Sequence, residues 1–274
     1  MSFRAELISD THLNMWKYKP DKLMKIFSLQ APNLILAGDI GDPDEPTLHS
    51  FLDLARQNYK HVFYIPGNHE FYGTEPGSKK NPAIVLDWFQ KLDDQWSNFH
   101  FFYRRSQIVD DIRLVGATCW STAPTSDKWA QMISAEGKKD IDFIEQELSK
   151  SKEPVLIVSH YPSTLRVIEE NFRHKLTQFN YGQDLERLYR PPLNTWIFGH
   201  VHQKHDFSIP YSSSIYGNGK VRVLCNPYGY PNEPIASDKT VVFQVNSSGP
   251  GAGFALNQGQ GAVKSVYGMN YRML

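Results

Sequence analysis

The sequence predicts an α/β protein built around a parallel sheet with crossover helices. Three observations carry this. Short apolar runs alternate with stretches whose apolar residues recur at helical spacing, in the order β-α-β-α-β from the N-terminus. The 274 residues are 41% hydrophobic and 21% charged, enough apolar content for a large core and too much for disorder. No internal repeat recurs at solenoid periods, so the alternation describes one layered unit rather than an array.

The elements follow in order. Phe3–Ile8 (FRAELI) reads as a first strand. Residues 21–29 place Leu23, Ile26 and Phe27 at helical spacing. The apolar run NLILA at 33–37 is a buried strand. Residues 47–58 carry Leu48, Phe51, Leu52, Leu54 and Ala55, a helical face, and VFYI at 62–65 is the third strand. Residues 84–96 read as a helix. Residues 100–103 and 107–118 read as β structure, with Asp110-Asp111 as a hairpin turn. A charged helix is predicted over 127–150, with Trp129, Met132, Ile141, Ile144 and Leu148 facing inward. PVLIVS at 154–159 and TWIF at 195–198 are buried strands, with a helix around 185–188 between them. VRVLC at 221–225 and KTVVFQV at 239–245 complete the β content. Residues 247–274 form a Gly-rich tail, predicted to be flexible, whose last part, 263–274, is apolar enough to dock. The domain is therefore placed at 1–246.

Lys+Arg and Asp+Glu are 29 each, so the formal net charge is zero. That balance argues against a broad basic face for nucleic acid. No apolar run approaches the ~18–20 residues of a membrane span. The N-terminus carries no signal-peptide pattern. Cys119 and Cys225 stand far apart in no pair motif, which fits a reducing, cytoplasmic setting.

Five strands end in chemically similar loops. The first runs into Ser9-Asp10-Thr11-His12, the second into Gly38-Asp39-Ile40-Gly41-Asp42, and the third into Pro66-Gly67-Asn68-His69-Glu70. The fourth leads to Ser159-His160-Tyr161-Pro162 and the fifth to Gly199-His200-Val201-His202. Open α/β sheets build their sites beyond the carboxyl ends of strands, so these loops are expected to converge. Taken singly, Asp10 or Asp39 reads as a turn former or helix cap, and a lone histidine as a packed side chain. Jointly they present imidazole, carboxylate and amide oxygen, too many ligands for one four-coordinate ion. Two adjacent cations sharing a carboxylate fit them.

The set D-x-H, G-D, G-N-H-[DE], H and G-H-x-H, intact and in order, resembles the calcineurin-like metallophosphoesterases over roughly residues 3–230. Asn226-Pro227-Tyr228-Gly229-Tyr230-Pro231 is similar to a closing segment of some bacterial-type members. The resemblance implies a four-layer α/β/β/α sandwich, two mixed β-sheets flanked by helices, with residues 104–150 as a cap-like insertion. It implies that Asp10, His12 and His202 hold one metal ion, that Asn68, His160 and His200 hold the second, and that Asp39 bridges them. His69 is then the general acid, and Asp42 the carboxylate that orients it. The cofactors implied are two divalent metal ions, manganese foremost, with iron, zinc, nickel or magnesium as alternatives. The implied mechanism is attack by a metal-bridging hydroxide on a phosphoric ester.

Within that family a protein phosphatase is disfavoured, because Pro43-Asp44 stands where an Arg-Gly pair is expected. A nuclease is disfavoured by the neutral charge and the lack of a long second domain. The expectation left is a small phosphorylated substrate, mono- or diester, with no membrane partner. A non-catalytic metal-binding scaffold is the alternative from another class, and the complete ligand set counts against it. Outside the motifs, Trp120 and Tyr161 are candidates for lining the pocket, and Arg166, Arg173 and Lys175 for meeting an anionic substrate. His49, His61, His100, His174 and His205 have no motif context. Lys79-Lys80, Arg104-Arg105 and Lys138-Lys139 read as solvated charge.

Overall fold

A computed structural model describes residues 2–16, 20–73, 75, 77–121, 126–170, 180–233, 237 and 239–247. The tail beyond Ser247, and with it its expected docking, lies outside the described residues, as do Arg173, His174 and Lys175. In chain order the strands are β1 (Ser2–Ile8), β2 (Asn33–Ala37), β3 (His61–Ile65), β4 (Phe99–Phe101), β5 (Arg105–Val109), β6 (Ile112–Gly116), β7 (Val155–Val158), β8 (Leu193–Ile197), β9 (His205–Ser213), β10 (Gly217–Cys225) and β11 (Val241–Asn246). The helices are α1 (Pro20–Leu23), α2 (Pro46–Asn58), α3 (Pro82–Gln95) and α4 (Lys128–Lys150). None of them is long and apolar enough to cross a membrane.

The strands form two sheets, ordered β11-β1-β2-β3-β4 and β5-β6-β7-β8-β10-β9. In the first, β1 to β4 run parallel and β11 pairs antiparallel to β1. In the second, β6, β7, β8 and β10 run parallel, with β5 and β9 antiparallel at the edges. The two-residue period of a strand sorts the apolar side chains into layers. Phe3, Ala5, Leu7, Ile35, Ala37, Phe63 and Ile65 of the first sheet meet Leu114, Leu156, Val158, Ile197 and Leu224 of the second in one buried layer. Leu34, Leu36, Val62 and Tyr64 face outward under Leu48, Phe51, Leu52 and Ala55 of α2 and Phe89 of α3. The result is the four-layer α/β/β/α sandwich, and the core strands are buried on both faces, as their continuous apolar runs require.

Local chemistry sets the boundaries. Asn81 caps α3 by accepting from the Ala83 N–H at 3.0 Å, and Pro82 occupies the first helical position, where no donor is needed. Asp127 caps α4 in the same way through Ala130. Asp110 and Asp111 both have positive φ, 50° and 61°, and close the β5–β6 hairpin as expected.

Four expectations need correction. Residues 104–150 are not a cap-like insertion: β5 and β6 are strands of the second sheet, and α4 covers that sheet. Met132 is exposed, and the buried face of α4 is Gly137, Asp140, Ile144, Glu147 and Leu148. Its two carboxylates are tolerated there because Arg104 pairs with Asp140 at 2.6 Å, and Glu147 accepts from Ser106 at 2.6 Å. Arg104 and Arg105 are therefore not simply solvated; Arg105 pairs with Asp93. The helix expected over 21–29 is the short α1 followed by a 3-10 turn at Met24–Ile26. β9 was not foreseen at all, since its alternation is mostly polar and it carries Pro210, as befits an edge.

Candidate metal centre

The parallel strands β1, β2, β3, β7 and β8 all deliver their carboxyl ends to one side of the sandwich. Four of the residues placed there, Asp10, His12, Asp39 and His200, have positive φ of 54°, 43°, 55° and 71°. Such backbone is costly for a residue with a Cβ, and its concentration in these loops marks where the fold holds strain. The glycines permit the approach: a Cβ on Gly67 would stand 2.2 Å from Asp39 Oδ1, and one on Gly38 2.4 Å from His160 Nδ1.

Seven of the sequence-predicted residues come together. Asp10, His12 and His202 form one cluster of facing ligand atoms; Asp39, His160 and His200 form another. His12 Nε2 faces His202 Nε2 at 3.1 Å, and His202 Nε2 lies 3.6 Å from Asp10 Oδ1. In the second cluster, His160 Nε2 lies 3.3 Å from Asp39 Oδ2, and Asn68 Oδ1 lies 3.0 Å from His160 Nε2 and 3.1 Å from His200 Nδ1. Two ligands on one four-coordinate ion lie about 3.4 Å apart, so these separations suit donors converging on cations.

The rest of each imidazole supports the same reading. His160 gives Nδ1 to the Ala37 carbonyl at 3.0 Å, His200 gives Nε2 to the Asn180 carbonyl at 2.9 Å, and His202 gives Nδ1 to Glu233 at 2.7 Å. In the neutral ring each of these bonds fixes the tautomer that would turn the other nitrogen's lone pair onto a cation in the centre. Asp10 accepts from the His200 N–H at 2.9 Å and Asp39 from the His69 N–H at 2.8 Å, which orients both carboxylates. Both are buried.

The electrostatics are strongly polarised. Burial alone would raise both carboxyls, but His202 pulls Asp10 below the ordinary range, and His160 and His69 pull Asp39 well below it. Against its own burial, His160 is raised to about 9 by Asp39, and His202 to about 10 by Asp10 and Glu233. His12 and His200 have no such partner outweighing burial and fall to about 3 and about 4.

His69 is in place, its ring 4.7 Å from that of His12 and its Nε2 4.0 Å from Asp39 Oδ2. Burial lowers its pKa, with the Asp39 carboxylate opposing. The structure does not bring Asp42 to it. The Asp42 carboxylate pairs with Lys80 and accepts from the Asp44 N–H at 2.8 Å, closing its own turn. Lys80 is thus no solvated charge, and Lys79 sits 3.4 Å above the Tyr72 ring. The group on His69 Nε2 is instead the hydroxyl of Tyr230, at 2.9 Å. Tyr161 packs 4.2 Å from the His200 ring, while Trp120 packs between Tyr161 and Phe71. Arg166 is engaged with Glu186 through two 2.8 Å bonds.

Three carboxyl or phenol groups escaped the sequence reading. Glu70, next to His69 in the chain, accepts from the amides of Asp39, Ile40 and Gly67 and from the Tyr64 hydroxyl. Its presence in the G-N-H-[DE] motif was the available signal. Tyr230 belonged to the closing segment quoted above, but nothing in the sequence aims it at His69. Glu233 carried no signal.

A profile of the calcineurin-like phosphoesterases matches residues 6–204, a span that contains all seven of the converging residues and His69. An uncharacterized protein of Acanthamoeba polyphaga mimivirus is 23% identical over 259 residues, covering 80% of this chain and 84% of that protein. Among solved structures, the fold is similar to that of a phosphopantetheinyl hydrolase from Mycobacterium tuberculosis, with a TM-score of 0.61, 17% identity, and coverage of 86% of this chain and 95% of that one. It is also similar to a dimetal phosphatase from Danio rerio, with a TM-score of 0.51, 13% identity, and coverage of 88% and 91%.

Proposed function

The chain belongs to the calcineurin-like phosphoesterase family, and on that premise we propose that it hydrolyses small phosphoric esters at a centre of two divalent cations. One observation carries this reading: seven donors from five strand ends converge, and three of the four histidines among them, His160, His200 and His202, have their second ring nitrogen already tied to a carbonyl or a carboxylate. Asp10, His12 and His202 would hold one cation, Asn68, His160 and His200 the other, and Asp39 both. The mixed imidazole, carboxylate and amide set favours manganese, with iron, zinc, nickel or magnesium able to fit. When bound, the pair supplies a lowered water pKa and neutralises charge on the phosphoryl oxygens.

The chain's own residues do the rest. Asp39 is fixed by the His69 N–H, so the bridge and the acid are held in one unit. His69 stands beside the centre with Nε2 turned towards it, placed to protonate the departing alcohol. Burial of His12, Asp10 and Asp39 keeps bulk water from competing with these contacts.

The test is hydrolysis of p-nitrophenyl phosphate and bis-p-nitrophenyl phosphate by metal-stripped protein reloaded with Mn²⁺. On the corresponding butyl ester, whose alkoxide cannot leave without a proton, His69→Ala is expected to lose about 10²–10⁴-fold in kcat. Asp39→Asn is expected to lose the metal and activity together. Turnover of the diester would direct the substrate search to phosphodiesters, and of the monoester alone to phosphomonoesters. Metal bound without turnover of either would favour a scaffold.

A further inference from the structure

The Tyr230 hydroxyl lies 2.9 Å from Nε2 of His69, the nitrogen that also faces the Asp39 carboxylate at 4.0 Å. The Tyr230 ring lies 4.3 Å from that of His12 and 4.5 Å from that of His202. The phenol therefore stands between two residues assigned to one cation and the residue assigned as acid. Its backbone is pinned on both sides. The Tyr228 and Gly229 amides donate to the carbonyls of Ser9 and Asp10 at 2.9 Å, and the Tyr230 amide donates to Glu233 Oε2 at 3.0 Å. Glu233 Oε2 in turn holds His202 at 2.7 Å. A loop built only to fill space would not need a hydroxyl at this point, and Asp42, the expected partner of His69, is committed to Lys80.

We propose that Tyr230 is a catalytic residue acting in series with His69, its phenol passing the proton from Nε2 to the leaving-group oxygen. A phenol both accepts and donates, so Nε2–H can donate to the Tyr230 oxygen while the O–H remains free to donate onward. As the P–O bond to the alcohol breaks, its electron pair goes to the leaving oxygen, which takes the phenol proton. The phenol oxygen takes the proton from Nε2. The imidazolium ends neutral, the tyrosine ends as it began, and the product is the alcohol. This inference rests on the phosphoesterase reading above.

The experiment pairs a good and a poor leaving group in whichever ester class the Mn²⁺-loaded protein turns over: p-nitrophenyl phosphate against butyl phosphate, or bis-p-nitrophenyl phosphate against dibutyl phosphate. p-Nitrophenolate departs without a proton and an alkoxide does not. Tyr230→Phe is therefore expected to lower kcat about 100-fold for the butyl ester and less than about 3-fold for the p-nitrophenyl ester, with KM unchanged. Equal losses on both esters, or a change in KM alone, would overturn the relay and leave Tyr230 as a wall of the pocket. A second measurement does not depend on turnover: the ¹⁵N resonance of His69 Nε2 is expected to move in Tyr230→Phe. An unmoved resonance overturns the relay in an active enzyme. A moved resonance in a protein that hydrolyses neither ester overturns the phosphoesterase reading, and the relay with it.

Discussion

Glu6 and Glu70 are both fully buried carboxyls on the first sheet, one in β1 and one just after β3. Glu6 accepts from the amides of Ser28, Gln30 and Ala31 and from the hydroxyls of Tyr59 and Thr240. Glu70 accepts from the amides of Asp39, Ile40 and Gly67 and from the Tyr64 hydroxyl. The donor sets are nearly matched, yet the two acids shift in opposite directions. Burial pushes Glu6 up, but its hydroxyl and amide donors outweigh it and leave the pKa lowered. Burial pushes Glu70 up as well, and there the Asp39 carboxylate adds to it, raising Glu70 to about 7. Glu6 ties the chain before β2 to β1 and to the turn into β11. Glu70 ties the turn after β2 to the turn after β3, and it does so beside a second negative charge. The fold keeps that repulsion where two cations would relieve it, and nowhere near Glu6.

The largest expected effect is on stability. In metal-stripped protein at neutral pH, Glu6→Gln is expected to cost about 3 kcal/mol, because charge-assisted bonds to five donors are weakened and an amide NH₂ is turned onto backbone N–H groups. Glu70→Gln loses similar bonds but also removes the charge facing Asp39, so its cost is expected to stay below about 1 kcal/mol. Urea unfolding of both variants checks this. Equal losses would break the comparison and mean that the Asp39 charge matters little to Glu70.

Metal affinity is expected to reverse the ranking. Glu70 holds the amides that set the turn carrying Asp39, and Glu233 holds His202. Removing such supporting partners costs about 10–100-fold in metal affinity, so Glu70→Gln and Glu233→Gln are each expected to weaken Mn²⁺ by that factor. Glu6→Gln is expected to leave the affinity within about 2-fold, since Glu6 touches no ligand loop. Calorimetric titration of the three variants separates the site from the staple.

The same contrast shows what a sequence reader can and cannot see. Asp10, Asp39, Asn68, His160 and His200 were legible because each follows an apolar strand at once, and parallel strands send such ends to one place. Glu6 was not, since Arg4 and Glu6 alternate with apolar residues in FRAELI and so share the pattern of an outward face, and its five donors come from segments up to 234 residues away. Asp42 was misplaced because its spacing from Asp39 says nothing of Lys80, which reaches it from 38 residues on. Tyr230 meets His69 across 161 residues, a contact set by how the closing segment crosses the sheet ends. β9 stayed hidden because an edge strand needs little apolar pattern, and α4 misled because ion pairs replaced part of its buried face. Motif residues are visible where local order fixes them; their supporting partners are fixed only by tertiary approach.

The most gradual effect is the pH dependence of stability in metal-stripped protein, and it separates the two acids by sign. The ordinary glutamate value of 4.5 stands for the unfolded chain. Glu6, lowered on folding, contributes stability that is present above pH 4.5 and is lost as pH falls through its lower folded value. Glu70, raised to about 7, contributes fully below 4.5 and loses that contribution as pH rises from 4.5 to about 7. One group changes the slope by at most about 1.4 kcal/mol per pH unit, so the two limbs should be resolvable in urea midpoints taken from about pH 3 to about pH 8. Glu6→Gln is expected to flatten the limb below 4.5 and leave the upper one, and Glu70→Gln to do the reverse. If both variants flattened the same limb, the Asp39 charge would not be what divides these carboxyls, and the strain assigned to the metal centre would have to lie elsewhere in its loops.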